Sequence, residues 1–354
     1  MELALKIVDS QGRVLCHVAG QDEIVLVYRQ PYREGDCVAI ESSNSGHVVL
    51  ALDEAVTPAM TYLKAPSHRF TIPFGERRRP FSEKAFEGSL HRIYVRSAHA
   101  DEIAARRNLA FNPWDDHSNR GLFPHASANV ETRGEAVFAA RNAIDGEKAN
   151  DDHGFWPYTS WGINRDPKAC LTIDFGRAVL VDEVLLYLRT DFPHDSWWEK
   201  ASLTFSDGET LCVSLQKSGK AQRFVVRPRT IEWMRLHDLI KADDPSPFPA
   251  LTQIEVWGRD LDVCTGRENA RAPPSCNGQT KVAQQVAVAH LAAPQMIAHR
   301  TSGSLFVGIR DSHRDRFMFP VDLAAIGVLL RLLGGHRMRP RNDGAAMRFE
   351  RLAE

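Results

Sequence analysis

The stretch ACLTIDFGRAVLVDEVLLYLR, from Ala169 to Arg189, decides the fold. Leu171, Ile173 and Phe175 fall on one side of an extended chain, with Thr172 and Asp174 on the other. That is the period-two pattern of a half-buried strand. After a short connection, VDEVLLYLR supplies a second strand rich in Val and Leu. Downstream, ASLTFSDGETLCVSL places two strands on either side of Asp207-Gly208, a strong hairpin signal. QRFVVRPRTIEWMRLHDLI and LTQIEVWGR add further strands.

Working upstream, residues 1–98 also divide into short runs such as LALKIVD, VLCHVA, IVLVYR, CVAIES and HRIYVRSA. Turn residues separate them at the roughly 8–12-residue spacing of sandwiches and barrels. ADEIAARRN is the one convincing helical segment. The predicted fold class is therefore all-β, with tandem antiparallel β-sandwiches at 1–98 and 108–260 and a helical connector at 99–107. CTGRENARAPPSCNGQT reads as a linker. No amphipathic period follows it, so 261–354 is expected to be a linker and a poorly structured C-terminal extension.

Composition narrows the function. The 354 residues carry 44 basic and 45 acidic side chains, a net charge of −1. No global field attracts nucleic acid or an anionic membrane. No apolar run reaches the roughly 18 residues of a membrane span, and the first residues alternate like a strand instead of forming a leader. The expectation is a cytoplasmic protein with reduced thiols. The six cysteines include no Cys-x-x-Cys pair, although Cys16 and Cys37 could be bridged. No Gly-x-Ser-x-Gly elbow, phosphate loop or His-Glu-x-x-His helix occurs, so no enzyme is predicted.

Four motifs in order over residues 108–259 resemble the discoidin, or factor 5/8 type C, family. They are HASANVETRGEAVFAARNAIDGEKAN, SWGINRDPKACLTIDFGRAVLVDEVLLY, LTFSDGE and LTQIEVWGR. The resemblance implies a galactose-binding-like jelly roll, the fold of many carbohydrate-binding modules, with Trp161 in the core. It also implies a structural Ca²⁺ held by Asp145 and Glu255, with backbone carbonyls near Asn142 and Glu147 and the side chain or carbonyl of Asn150 completing the shell. Two loops are longer or richer in proline than the family's: KANDDHGFWPYTS and KADDPSPFPA.

The loop RTDFPHDSWW carries both kinds of group that recognise sugars: aromatic faces for CH surfaces and polar groups for hydroxyls. Its ligand candidates are Arg189, Asp191, His194, Trp197 and Trp198, with Trp156 and Tyr158 from the neighbouring loop. The resemblance places an arginine at the position of Arg189. Trp197 and Trp198 are adjacent in extended chain, so they face opposite ways and one belongs to the core. The same polar residues could instead knit the long loops together. His237, Lys241, Asp243 and Asp244 could border the same cleft, and Arg77, Arg78 and Arg79 form a short basic run. The predicted function is non-catalytic binding of a sugar or glycan. The alternative is an intracellular scaffold that binds a protein through the same loops.

Overall fold

A computed structural model of the chain describes residues 1–64, 66–149, 156–190 and 195–261, and five strands between 295 and 351. Contacts divide it into two units, Met1–Glu268 and Asn269–Glu354.

The first unit begins with eight strands: β1 (Glu2–Val8), β2 (Val14–Gln21), β3 (Glu23–Tyr28), β4 (Cys37–Ser42), β5 (Gly46–Ala51), β6 (Ala59–Leu63), β7 (Ser67–Thr71) and β8 (His91–Ser97). They form two sheets, β2-β1-β4-β7 and β6-β5-β8-β3. Alternation explains why they pack. In β3, Ile24, Leu26 and Tyr28 are buried while Val25 and Val27 face outward. Leu3, Leu5 and Ile7 of β1 meet them across the core. Cys16 and Cys37 lie on the two strands that flank β1, and both are free thiols.

A short helix, α1 (Ala100–Ala104), lies in the expected connector. The chain beyond it serves both cores. β9 (Arg107–Asn108) joins the second sheet system, and β10 (Leu122–Phe123) pairs with β6 in the first. Between them, fully buried Trp114 packs in the first core and donates from Nε1 to the Leu50 carbonyl at 3.3 Å.

The second core is framed by β11 (His125–Ala128), β12 (Trp161–Gly162), β13 (Leu171–Leu188), β14 (Asp195–Ser196), β15 (Trp198–Phe205), β16 (Thr210–Ser214), β17 (Gln222–Lys241) and β18 (Phe248–Asp260). The two strands expected in the opening stretch are one bent strand. Leu171–Asp174 pairs with β11 and with the end of β17, whereas Val179–Leu188 pairs with the start of β17 and with β18. β13 thus serves both layers. The bend falls at Gly176, whose φ is +68°. A Cβ there would sit 2.4 Å from the Phe123 ring, so the Asp-Phe-Gly sequence is a packing requirement. The Asp207-Gly208 hairpin forms as predicted, with Gly208 at φ +91° and its N–H donating to the Phe205 carbonyl at 2.9 Å.

In the second unit, β19 (Gln295–Thr301), β20 (Ser304–Asp311), β21 (Arg314–Val321), β22 (His336–Pro340) and β23 (Ala346–Arg351) form an antiparallel sheet in the order β21-β20-β19-β23-β22. The sequence shows no clear period there, and extended pairing was not expected.

Candidate functional site

Arg189 closes β13, and its backbone N–H donates to the Ala250 carbonyl of β18 at 3.0 Å. This pairing aims the side chain into the end of the second sandwich. The guanidinium is 4% exposed. Its Nη1 donates to Ser160 Oγ at 3.2 Å, and its centre lies 5.0 Å from the Tyr158 ring and 5.5 Å from the Phe138 ring. Packed between two rings, it keeps one geometry, as a recognition group must.

Beside it opens a recess of about 170 Å³. Phe138, Asn164, Arg165, Phe248 and Arg133 line it together with Arg189. It is smaller than the roughly 300 Å³ of drug-sized pockets, with room for only part of such a molecule. Phe248 stands at the start of β18, 41% exposed, with the Arg165 guanidinium 5.7 Å from its ring centre. Pro247 and Pro249 flank it. Proline is confined to sheet edges and strand starts, and this keeps the ring at the rim. Asn164 and Arg165 sit at φ +48° and +62° in a tight turn closed by the Asp166 N–H on the Ile163 carbonyl at 2.9 Å. Thr132 Oγ1 accepts from the Asn164 N–H at 3.0 Å and anchors that turn.

Of the five ligand candidates among the described residues, only Arg189 lines this recess. Tyr158 is fully buried against Arg189, and Trp198 is 1% exposed in the core, 6.4 Å from Trp161. Both support the site from inside and offer no ligand surface. Trp197 is half-buried and packs against the same core, just before β15 begins at Trp198. Trp161 is buried as expected and donates to the Val130 carbonyl at 3.0 Å. Trp156, 40% exposed, lines a separate cavity of about 210 Å³ with Phe81 and Phe111. Asp191 and His194 lie outside the described residues. His237 bonds Thr204, Lys241 caps the Ala242 and Asp244 carbonyls, and Asp244 pairs with Lys217. None of these, nor Asp243, lines the recess. In the basic run, Arg78 pairs with Glu87 and Arg79 with Glu76.

Sequence reasoning missed Phe248, Arg165, Asn164 and Phe138. The available signal was the proline-flanked aromatic in PSPFPA. Phe138 and the Asn164 turn enter only through chain folding.

Several of the side chains near the implied calcium position are engaged within the chain. A divalent cation takes six to eight oxygens, and here the Glu255 carboxylate and the Asn142 side chain are bonded to other groups. Asn142 Oδ1 accepts from Arg141 Nη1 at 2.9 Å, and its amide donates to the Ala136 carbonyl at 2.9 Å. Glu255 Oε1 is paired with the Lys148 ammonium, and Oε2 accepts from Trp257 Nε1 at 2.7 Å. Lys148 also lies 4.9 Å over the Tyr187 ring. Burial alone would lower its pKa, but the bond to Glu255 outweighs burial and the net shift is upward. The Ala143 carbonyl accepts from Gln253 Nε2 at 2.7 Å, and Gln253 Oε1 accepts from the Gly146 N–H at 3.1 Å. Asp145 is pushed up to about 7 by burial, with Arg141 Nη1 at 3.8 Å as its nearest cation. Among the described residues no cluster of three or more metal-ligating side chains occurs. Asn150 lies outside them.

No protein-family model matches the chain, and comparison with curated proteins found no match. Solved structures similar to it are carbohydrate-binding modules. A chitosan-binding module of a chitosanase/glucanase from Paenibacillus sp. IK-5 is 19% identical, with 43% of this chain and 99% of that one covered at a TM-score of 0.32. A family 32 module from C. perfringens, solved in complex with galactose, is 18% identical, covering 37% and 91% at 0.29. The lectin domain of lectinolysin, complexed with Lewis B antigen, is 20% identical, covering 44% and 98% at 0.31. Among the described residues no helix is long and apolar enough to cross a membrane.

Proposed function

We propose that the second sandwich binds a saccharide, without catalysis, at the recess beside Arg189. One observation carries this: an ordered guanidinium, an exposed phenyl ring and a polar turn converge on one small concave surface. The Phe248 ring suits the CH face of a sugar ring. Asn164 and Arg165 supply directional hydrogen bonds to its hydroxyls, with Arg189 fixing the wall behind them. The motifs resembling discoidin domains support the same assignment. No matched acid and base line the recess, so binding is the chemistry it supports. A shallow site gains little beyond stacking and a few wet hydrogen bonds, which gives an affinity of roughly micromolar to millimolar.

A glycan array followed by NMR titration of the best ligands tests this. Binding is expected for the wild type and is lost in Phe248→Ala, which leaves the fold intact. Binding that survives both Phe248→Ala and Arg189→Gln places the ligand elsewhere and overturns the assignment.

A further inference from the structure

The recess has a one-sided charge. Three arginines line it, Arg133, Arg165 and Arg189, and among its described lining residues there is no carboxylate. This is unusual in a chain whose charges nearly balance. The three arginines are not equivalent. Arg133 is neutralised by Glu135, Nε to Oε1 at 2.5 Å. Arg189 is buried and held by Ser160 and two rings. Arg165 is exposed, and the contact seen for its guanidinium is the Phe248 ring, with its donor edge left for solvent or ligand. Positive φ at both Asn164 and Arg165 is the geometry of a tight primed turn, in which Asn is favoured and Arg is uncommon. The turn places Arg165 over the aromatic platform.

We infer, on the basis of the saccharide reading above, that the preferred ligand is an anionic sugar whose carboxylate or sulfate group is bound by Arg165, beside the ring that stacks on Phe248. Arginine presents a planar fork of donors that matches an oxyanion, and a charge-assisted bond is about twice as strong as a neutral one. A neutral sugar satisfies the stacking surface but leaves the Arg165 donors unmatched.

The test is calorimetric or NMR titration of the full chain with methyl glucuronide, glucose 6-sulfate and methyl glucoside at about 20 mM and 500 mM salt. The acidic sugars are expected to bind at least tenfold tighter than the glucoside at low salt. That advantage shrinks at high salt, where screening acts within a few ångströms. Arg165→Gln is expected to remove it and Arg165→Lys to retain part of it. The carboxylate and sulfate arms decide which oxyanion is preferred. Equal affinity for all three sugars, abolished by Phe248→Ala, overturns the charge assignment while the saccharide site stands. An acid preference unchanged in Arg165→Gln also overturns it. No binding of any sugar at millimolar concentration overturns both.

Discussion

Two parts of the second sandwich carry arginine or lysine beside aromatic rings, and they use the charge in opposite ways. In the Asp145–Lys148 loop each cation has a partner within the chain. Lys148 meets Glu255, and Arg141 donates to Asn142 and to the Asp115 and Pro113 carbonyls while lying 4.6 Å over Phe81. Gln253 ties the loop to β18. At the recess, Arg165 has an aromatic neighbour and no acid. A cation matched inside the chain serves stability. One held over a ring at a concave rim keeps donors facing outward, which is what the proposed recognition role requires.

The largest expected effect lies on the closed side. Glu255→Ala removes the partner of Lys148 and of the Trp257 indole. Lys148 is 44% exposed and can return to water, so the cost is about 1–3 kcal/mol and not the full penalty of a buried pair. Urea unfolding measures it, and an unchanged midpoint would contradict the closed arrangement.

Next comes pH, at a second closed cluster that joins the two cores. Asp260 accepts from Arg107 and Arg177, and His47 Nε2 lies 3.1 Å away. Burial holds the His47 pKa down. Burial would raise the Asp260 carboxyl, but His47 and Arg177 outweigh it and its pKa is lowered. Both folded-state values lie below the unfolded ones, about 6.5 and 3.9. Their stabilisation is present above those values and is lost as pH falls toward the folded ones. The thermal midpoint should drop from pH 7 to pH 4 as His47 becomes protonated on unfolding, and again below about pH 4 as Asp260 does; Asp260→Asn should remove the second drop but not the first.

On the open side, Phe248→Ala should change stability by less than about 1 kcal/mol, since the ring is half in solvent. A loss comparable to a core truncation, about 3–5 kcal/mol, would reclassify the ring as core. The smallest expected effect is that of calcium. A site with micromolar affinity would stabilise the fold by about 2.7 kcal/mol at a hundredfold excess. Addition of calcium or EDTA is expected to leave the thermal midpoint unmoved.

The fold was legible because alternation is local. Leu171, Ile173 and Phe175 declare a buried face without reference to any partner, and Asp207-Gly208 declares its turn. The site was legible only at Arg189, which ends a recognisable strand. Aromatic residues named from their loop divided by burial. Trp198 and Tyr158 went inward and Trp156 went to another cavity. Composition marks a ring as available but says nothing of the side of the wall it occupies.

By itself the sequence determined an all-β chain, the hairpin at Gly208 and the burial of Trp161, because strand period and turn chemistry act over a few residues. The tertiary structure alone decided that β13 bends at Gly176 to serve both layers, that Lys148 meets Glu255, and that Phe248 and Arg165 converge on Arg189. Lys148 and Glu255 are 107 residues apart, Arg165 and Phe248 are 83, and Arg165 and Arg189 are 24, and only packing of the whole sandwich brings such distant groups within reach.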